Sequence, residues 1–176
     1  MDLYTFLLDI LKYTVAGIGV VWVAVYLIKP YLDKQEQLQL LDLKKSVSAQ
    51  TLPLRLQAYE RMVLFIERIN PANMLIRLQA GNYTAAELHA LVVSEVRNEY
   101  QHNITQQIYV SQRTWGIARQ LKNDTLSIVT NAVKALPENA SGMELSKLML
   151  AHLSQLEIDP YDAGLSLIRN DLDAIL

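Results

Sequence analysis

From Tyr13 to Ile28 the chain carries no charged side chain, and this apolar run is extended upstream by Leu3 to Leu11 and stopped by Lys29-Pro30. A helix rising about 1.5 Å per residue needs roughly 20 residues to cross about 30 Å of hydrocarbon. The uncharged run alone is too short, and the upstream stretch makes the segment long enough. Asp9 and Lys12 are then drawn toward one membrane face, where at i and i+3 they pair or reach the headgroups. Tyr4 and Tyr13 near one end, with Tyr26 and Tyr31 near the other, occupy the places that interfacial aromatic rings prefer. A cleaved signal peptide has a core of similar length, but it starts with basic residues and ends at a small-residue site. Here Asp2 stands at the start and Lys29-Pro30-Tyr31 follows the core. The pattern predicts a retained transmembrane anchor over residues 1–29.

Between residues 30 and 50 the pattern changes to Leu, Gln, Lys and Asp, with Leu32, Leu38 and Leu41 at rough helical spacing. This predicts a helical stalk too short for a coiled coil, lying along the headgroups or against a partner. Ser46 to Thr51 is expected to loosen the chain ahead of Leu52-Pro53.

Residues 51–176 are punctuated by helix starts. Thr84-Ala85-Ala86-Glu87 and Ser141-Gly142-Met143-Glu144 are capping boxes, in which the Ser or Thr hydroxyl and the Glu carboxylate satisfy each other's backbone N–H groups. Asn70-Pro71 and Asp159-Pro160 set a cap before a proline at the first helical position. Asn103-Ile104-Thr105-Gln106 starts another helix or makes a turn within a longer one. The resulting helices run near Pro53–Ile69, Ala72–Leu78, Ala85–His102, Ile104 or Gln112 to Leu136, Gly142–Leu156 and Pro160–Ile175. Strand alternation is absent, with Ile104–Val110 the one ambiguous stretch. The expected fold is all-α: a transmembrane helix and stalk followed by a compact bundle of about five to six helices.

Composition narrows the picture. The 176 residues, less anchor and stalk, leave about 125 for one domain with a proper core. A net charge of −2 gives no drive toward nucleic acid. Lys29, Lys34, Lys44 and Lys45 follow the apolar span, whereas Lys12 and the amino terminus precede it, so the positive-inside rule puts the amino terminus outside and the domain in the cytoplasm. The absence of cysteine is compatible with a reducing compartment. Asn-x-Ser/Thr triplets at Asn82, Asn103, Asn123 and Asn139 matter only for a lumenal domain, and are read as chance.

Candidate chemistry is sparse. On the helix from Ala85, Leu88, Leu91, Val92 and Val96 define an apolar side, and Glu95, Glu99 and His102 fall in the same stripe. Carboxylates there need compensation, for burying an unpaired charge costs several kcal/mol. Arg55, Arg61, Arg68 or Arg77 from a neighbouring helix could supply it, as could simple exposure or a metal ion. Glu99 and His102 have the Glu-x-x-His spacing of di-iron carboxylate bundles, in which i and i+3 project to one ion. Those bundles use a second such pair, and neither His89 nor His152 has a glutamate three residues before it. The chain has no cysteine nucleophile, phosphate-binding glycine loop or zinc-ligand spacing, and no motif that calls for a cofactor.

Two surfaces stand out. Uncharged polar residues crowd Asn98–Arg113, and mixed with aromatic rings they suit a protein-facing surface built from Tyr100, Gln101, Asn103, Gln106, Gln107 and Tyr109. In the anchor, Ala16, Gly17, Val20 and Ala24 suit packing against another membrane helix. Trp115 and the stripe Leu56, Tyr59, Met62, Val63, Ile66 and Ile69 are expected to be core.

Two blocks carry a family likeness. Leu54-Arg55-Leu56-Gln57-Ala58-Tyr59-Glu60-Arg61-Met62 with Glu67-Arg68-Ile69-Asn70-Pro71 is the first, and Glu99 to Ser111 followed by Trp115 is the second. Together they resemble a domain-of-unknown-function family of small single-pass membrane proteins from Bacteroidota. The resemblance implies a bacterial inner-membrane protein with a helical cytoplasmic part, and implies no activity. The expectation is a membrane-anchored module that binds another membrane or membrane-associated protein, as accessory subunit or scaffold. Its rivals are a metal-dependent enzyme using Glu95, Glu99 and His102, and a homo-oligomer assembled through stalk and anchor.

Overall fold

The computed structural model describes residues 3–174, without the side chains of Leu3, Thr5 and Asp9, so the expected Asp9–Lys12 pairing lies outside the described residues. Six α-helices follow one another: α1 (Leu3–Ile69), α2 (Pro71–Arg77), α3 (Ala85–Asn103), α4 (Gln112–Lys134), α5 (Gly142–Ser154) and α6 (Pro160–Asp173). Short 3₁₀ turns at Ala80–Asn82 and Ile104–Ile108 join α2 to α3 and α3 to α4. Among the described residues there is no strand; the one β-type contact is an isolated antiparallel bridge between Thr84 and Ser141. The all-helical expectation holds.

The chain divides into two units, Met1–Thr51 and Leu52–Leu176. In the first, α1 is one helix long and apolar enough to cross a membrane, and none of its most apolar window is buried within the protein. Trp22 stacks on Tyr26, ring centroids 6.2 Å apart, four residues along the same face. The helix does not loosen at Ser46–Thr51 as expected, and continues through Pro30 and Pro53. A proline removes one intrahelical hydrogen bond and crowds the preceding turn, but strong helix formers on both sides (Leu, Gln, Lys, Ala) hold the flanking turns. Thr51 also turns its hydroxyl back to the Val47 carbonyl at 3.0 Å, occupying an acceptor of the turn before Pro53.

In the second unit every predicted cap is present. The Asn70 side chain accepts from Ala72 N–H at 3.0 Å, and Asp159 accepts from Tyr161 N–H at 2.7 Å. Both capping boxes close, Thr84 with Glu87 and Ser141 with Glu144. Backbone and hydroxyl hydrogen bonds from Thr84 hold the Glu87 carboxyl below its ordinary range, and those from Ser141 do the same for Glu144. The Asn103–Gln106 stretch resolves as the second 3₁₀ turn, and Ser111 caps α4 by accepting from Thr114 N–H at 3.0 Å.

The two capping boxes are also brought together. Ala85 N–H donates to the Ala140 carbonyl at 2.9 Å and Gly142 N–H to the Tyr83 carbonyl at 2.7 Å. The starts of α3 and α5 are therefore stitched side by side.

Tyr59, Met62, Phe65, Ile66 and Ile69 of α1 enter a single core with Leu88, Val92 and Val96 of α3, Leu121 and Val129 of α4, Leu145 and Met149 of α5, and Ile168 of α6. Each such side chain contributes about 1.5–3 kcal/mol on burial. Leu56 and Val63, expected in the core, are exposed because they lie to one side of the buried stripe. Helix α4 is the hub, packing on α3, α5 and α6. It meets α6 closely at Gly164, where an added Cβ would lie 2.8 Å from Leu121 Cδ1.

Candidate functional site

The acidic stripe of α3 is matched residue for residue by arginines. Arg77 pairs with Glu95 at 2.9 Å, and Arg68 pairs with Glu99, whose side chain is only 14% exposed. Arg77 also donates to the Arg68 backbone carbonyl at 3.4 Å, linking the two pairs. Of the four arginines that the sequence offers as partners, these two are chosen because they sit at the end of α1 and in α2, alongside α3. Arg55 donates instead to the Tyr109 carbonyl at 3.4 Å. His102 is exposed and lines a shallow polar groove with Arg61, Arg68 and Glu99. Among the described residues no three His, Asp or Glu side chains converge as metal ligands would. The stripe is a salt-bridge ladder clamping α3 to α1 and α2, and each carboxylate already has a cation.

The residues expected to form a contact surface divide. Asn103 is buried, and its side-chain amide donates to the Glu99 carbonyl at 2.8 Å, so it closes the end of α3 and offers no surface. Tyr100 is half-buried within an aromatic cluster, 6.2 Å from Phe65 and 5.3 Å from Trp115 between ring centroids, with Lys122 Nζ 4.4 Å from its own ring centre. Amide-rich composition did not reveal this, because the apolar neighbours come from α1 and α4. Tyr109 and Gln106 are half-buried, and Gln101 and Gln107 are exposed. Between them Ile108, 72% exposed, is the outward apolar residue of the turn.

In the N-terminal part of α1, Ala16, Gly17, Val20 and Ala24 are all exposed, and among the described residues nothing lies within 4 Å of a Cβ built at Gly17. That row is sterically open to another helix.

Two polar arrangements join residues far apart in the sequence. The first centres on Asp171 of α6, whose Oδ2 accepts from the Tyr59 hydroxyl at 2.7 Å, the Ser111 hydroxyl at 2.5 Å and the Thr114 hydroxyl at 2.7 Å. Tyr59 Oη in turn accepts from Ser111 N–H at 3.2 Å. Partial burial pushes the Asp171 carboxyl up, but the three hydroxyls and the Arg113 guanidinium outweigh it and hold the group below its ordinary value. Signals that could have drawn attention to it were the Ser111 cap and a lone acid on the otherwise apolar side of α6.

The second is Tyr161, fully buried, whose hydroxyl pairs with Thr125 Oγ1 at 2.7 Å. Thr125 also donates to the Leu121 carbonyl at 2.8 Å, which makes Tyr161 the donor to Thr125. Burial first, with Asp124 and Asp159 nearby, pushes the phenol up to about 12. A phenol raised in the folded state holds its proton after the unfolded chain has lost one, so stability falls between about pH 10 and 12. At 1.36 kcal/mol per unit the loss is about 3 kcal/mol. We expect chemical denaturation of Tyr161→Phe to lack that part of the alkaline decline while costing about 1 kcal/mol at neutral pH, because Thr125 keeps its carbonyl acceptor.

An open groove of about 510 Å³ lies between α4 and α5, lined by Ile128, Ala132, Ala135, Leu148, Ala151 and Leu156 with Asp124, His152 and Gln155. Its walls are mostly apolar.

Neither a curated protein nor a solved structure matches the chain. A family model does match residues 5–175, taking in α1 and the helical unit alike, and the chain therefore belongs to the family of unknown function DUF7935.

Proposed function

We propose that this chain is a single-pass bacterial inner-membrane protein, amino terminus outside and helical domain in the cytoplasm, that binds another membrane-associated protein as an accessory subunit or scaffold. The observation that carries the reading is the N-terminal part of α1, whose large apolar side chains from Phe6 to Ile28 are exposed, with nothing among the described residues burying them. A surface of that size needs lipid or another helix. Lysines at 29, 34, 44 and 45 support the orientation, and the likeness to Bacteroidota membrane proteins supports the compartment. The interaction role is supported by outward apolar residues on the folded domain, Ile108 among exposed glutamines and the α4–α5 groove.

The test uses the absence of native cysteine. With Ser154→Cys, a membrane-impermeant maleimide should label protein only after the inner membrane is opened, and the protein should resist carbonate extraction. Cross-linking in native membranes should then give one discrete heterologous species. Protein recovered soluble from the periplasm would overturn the anchor, and a ladder of multiples of this chain would overturn the heterologous partner in favour of self-assembly.

A further inference from the structure

The groove between α4 and α5 has a shape and a charge that together specify an occupant. From Asp124 to Ala135 it follows α4 for about 16 Å, room for roughly three turns of a docked helix. Its lining includes Ala132, Ala135 and Ala151, small enough for another helix to approach closely, and the apolar side chains of Leu148 and Leu156, 36% and 42% exposed. A groove between two helices with apolar walls is a common receptor for a third.

Asp124 fixes the polarity. Thr125 bonds Tyr161 at 2.7 Å, so Asp124 stands at the end of the groove where α5 gives way to α6. The last carbonyls of α5 add partial negative charge at that end. Asp124 is half-buried, its field reaches the Tyr161 phenol, and among the described residues no side chain pairs with it. The Asp159 carboxylate nearby is occupied in capping α6.

We infer that this groove receives an amphipathic helix of another protein, apolar on its docking face and carrying a Lys or Arg placed to meet Asp124. This rests on the interaction-module reading and names the partner's chemistry. A second copy of this chain or a lipid acyl chain in the groove would contradict it.

The probes are two fluorescein-labelled helical peptides with the same Leu/Ala face, differing by Lys or Glu in one terminal turn, titrated by anisotropy against the full chain in nanodiscs. The Lys peptide should bind about tenfold more tightly, Asp124→Asn should bring the two within about twofold, and Leu148→Glu should abolish both. Circular dichroism melts confirm that both variants fold; Asp124→Asn alone decides the charge question if Leu148→Glu does not. Absence of binding, equal affinities, or a preference unchanged in Asp124→Asn overturns the inference. So does a photo-cross-linker at Ala151 that joins the chain to itself or to lipid. If the native heterologous species still forms with Asp124→Asn and Leu148→Glu, the groove inference fails while the interaction module stands.

Discussion

Replacing Gly142 with alanine should destabilise the helical domain by about 3 kcal/mol, although the same change elsewhere in a helix stabilises it. Gly142 is the first residue of α5, directly after the Ser141 cap, and its N–H donates to the Tyr83 carbonyl at 2.7 Å. A Cβ built there collides with the Ala80 carbonyl oxygen, lies 2.8 Å from the Tyr83 carbonyl oxygen and comes within 3.2 Å of Leu88 Cδ2. The first two obstacles are backbone and cannot rotate away. Relief requires the stitch between the starts of α3 and α5 to open, losing hydrogen bonds worth about 1 kcal/mol each, with about 1–3 kcal/mol of overpacking. Alanine's helix preference over glycine returns at most about 1 kcal/mol. Gly116, within α4, is the control: nothing lies within 4 Å of its Cβ, so Gly116→Ala should stabilise by about 0.5–1 kcal/mol. Urea denaturation of the pair measures both signs. Equal midpoints for the two variants would mean that the α3–α5 stitch is not the constraint described.

Asp171→Ala should cost a similar amount, about 3 kcal/mol, for a different reason. One carboxylate oxygen serves three hydroxyls drawn from α1, the α4 cap and α4 itself, and of their owners Tyr59 and Thr114 are buried beyond the reach of water. Alanine leaves these donors without an acceptor, at about 1–3 kcal/mol for each group left unsatisfied. Asp171→Asn keeps an oxygen but loses the charge, and should cost about half as much. The pH dependence follows from the direction of the carboxyl's shift. Its folded pKa lies below the ordinary value of 3.8, so its contribution is present above that pH and is lost as pH falls through the lower, folded value. The stability difference between the protein and Asp171→Asn should therefore be flat from pH 5 to 7 and shrink below about pH 4. A difference that persists unchanged at pH 2 would show that the charge contributes nothing.

These two sites differ in how far the sequence announces them. Both capping boxes are readable from residues three apart, and so are the proline-led starts of α2 and α6, because a cap is satisfied within its own turn. That the two boxes meet, and that Gly142 is the residue that lets them, depends on where the loop before α5 returns. Asp171 reaches Tyr59, 112 residues away, and Ser111 and Thr114, 60 and 57 residues away. No local pattern marks such a partner set. The acidic stripe of α3 is intermediate: its amphipathic projection shows that Glu95 and Glu99 need cations, and four arginines were available. Packing selects Arg77 and Arg68 and turns Arg55 to a backbone carbonyl. Composition misled at Tyr100 and Asn103, where polar side chains that suited an outer surface are drawn inward by Phe65, Trp115 and the end of α3.

The sequence alone determined what depends on neighbours within a turn or on bulk hydropathy: an apolar helix long enough to cross a bilayer, an all-helical domain, and the residue at which nearly every helix begins. It misplaced the break at Ser46–Thr51, since a proline signals a lost hydrogen bond without saying whether the turns around it hold. Only the tertiary structure decided which arginine meets which glutamate, that α4 is the hub, that Asp171 gathers three hydroxyls, and that Asp124 is left facing an open groove. Each of these is a contact between helices, fixed by the burial of several apolar faces at once and so invisible in any one of them.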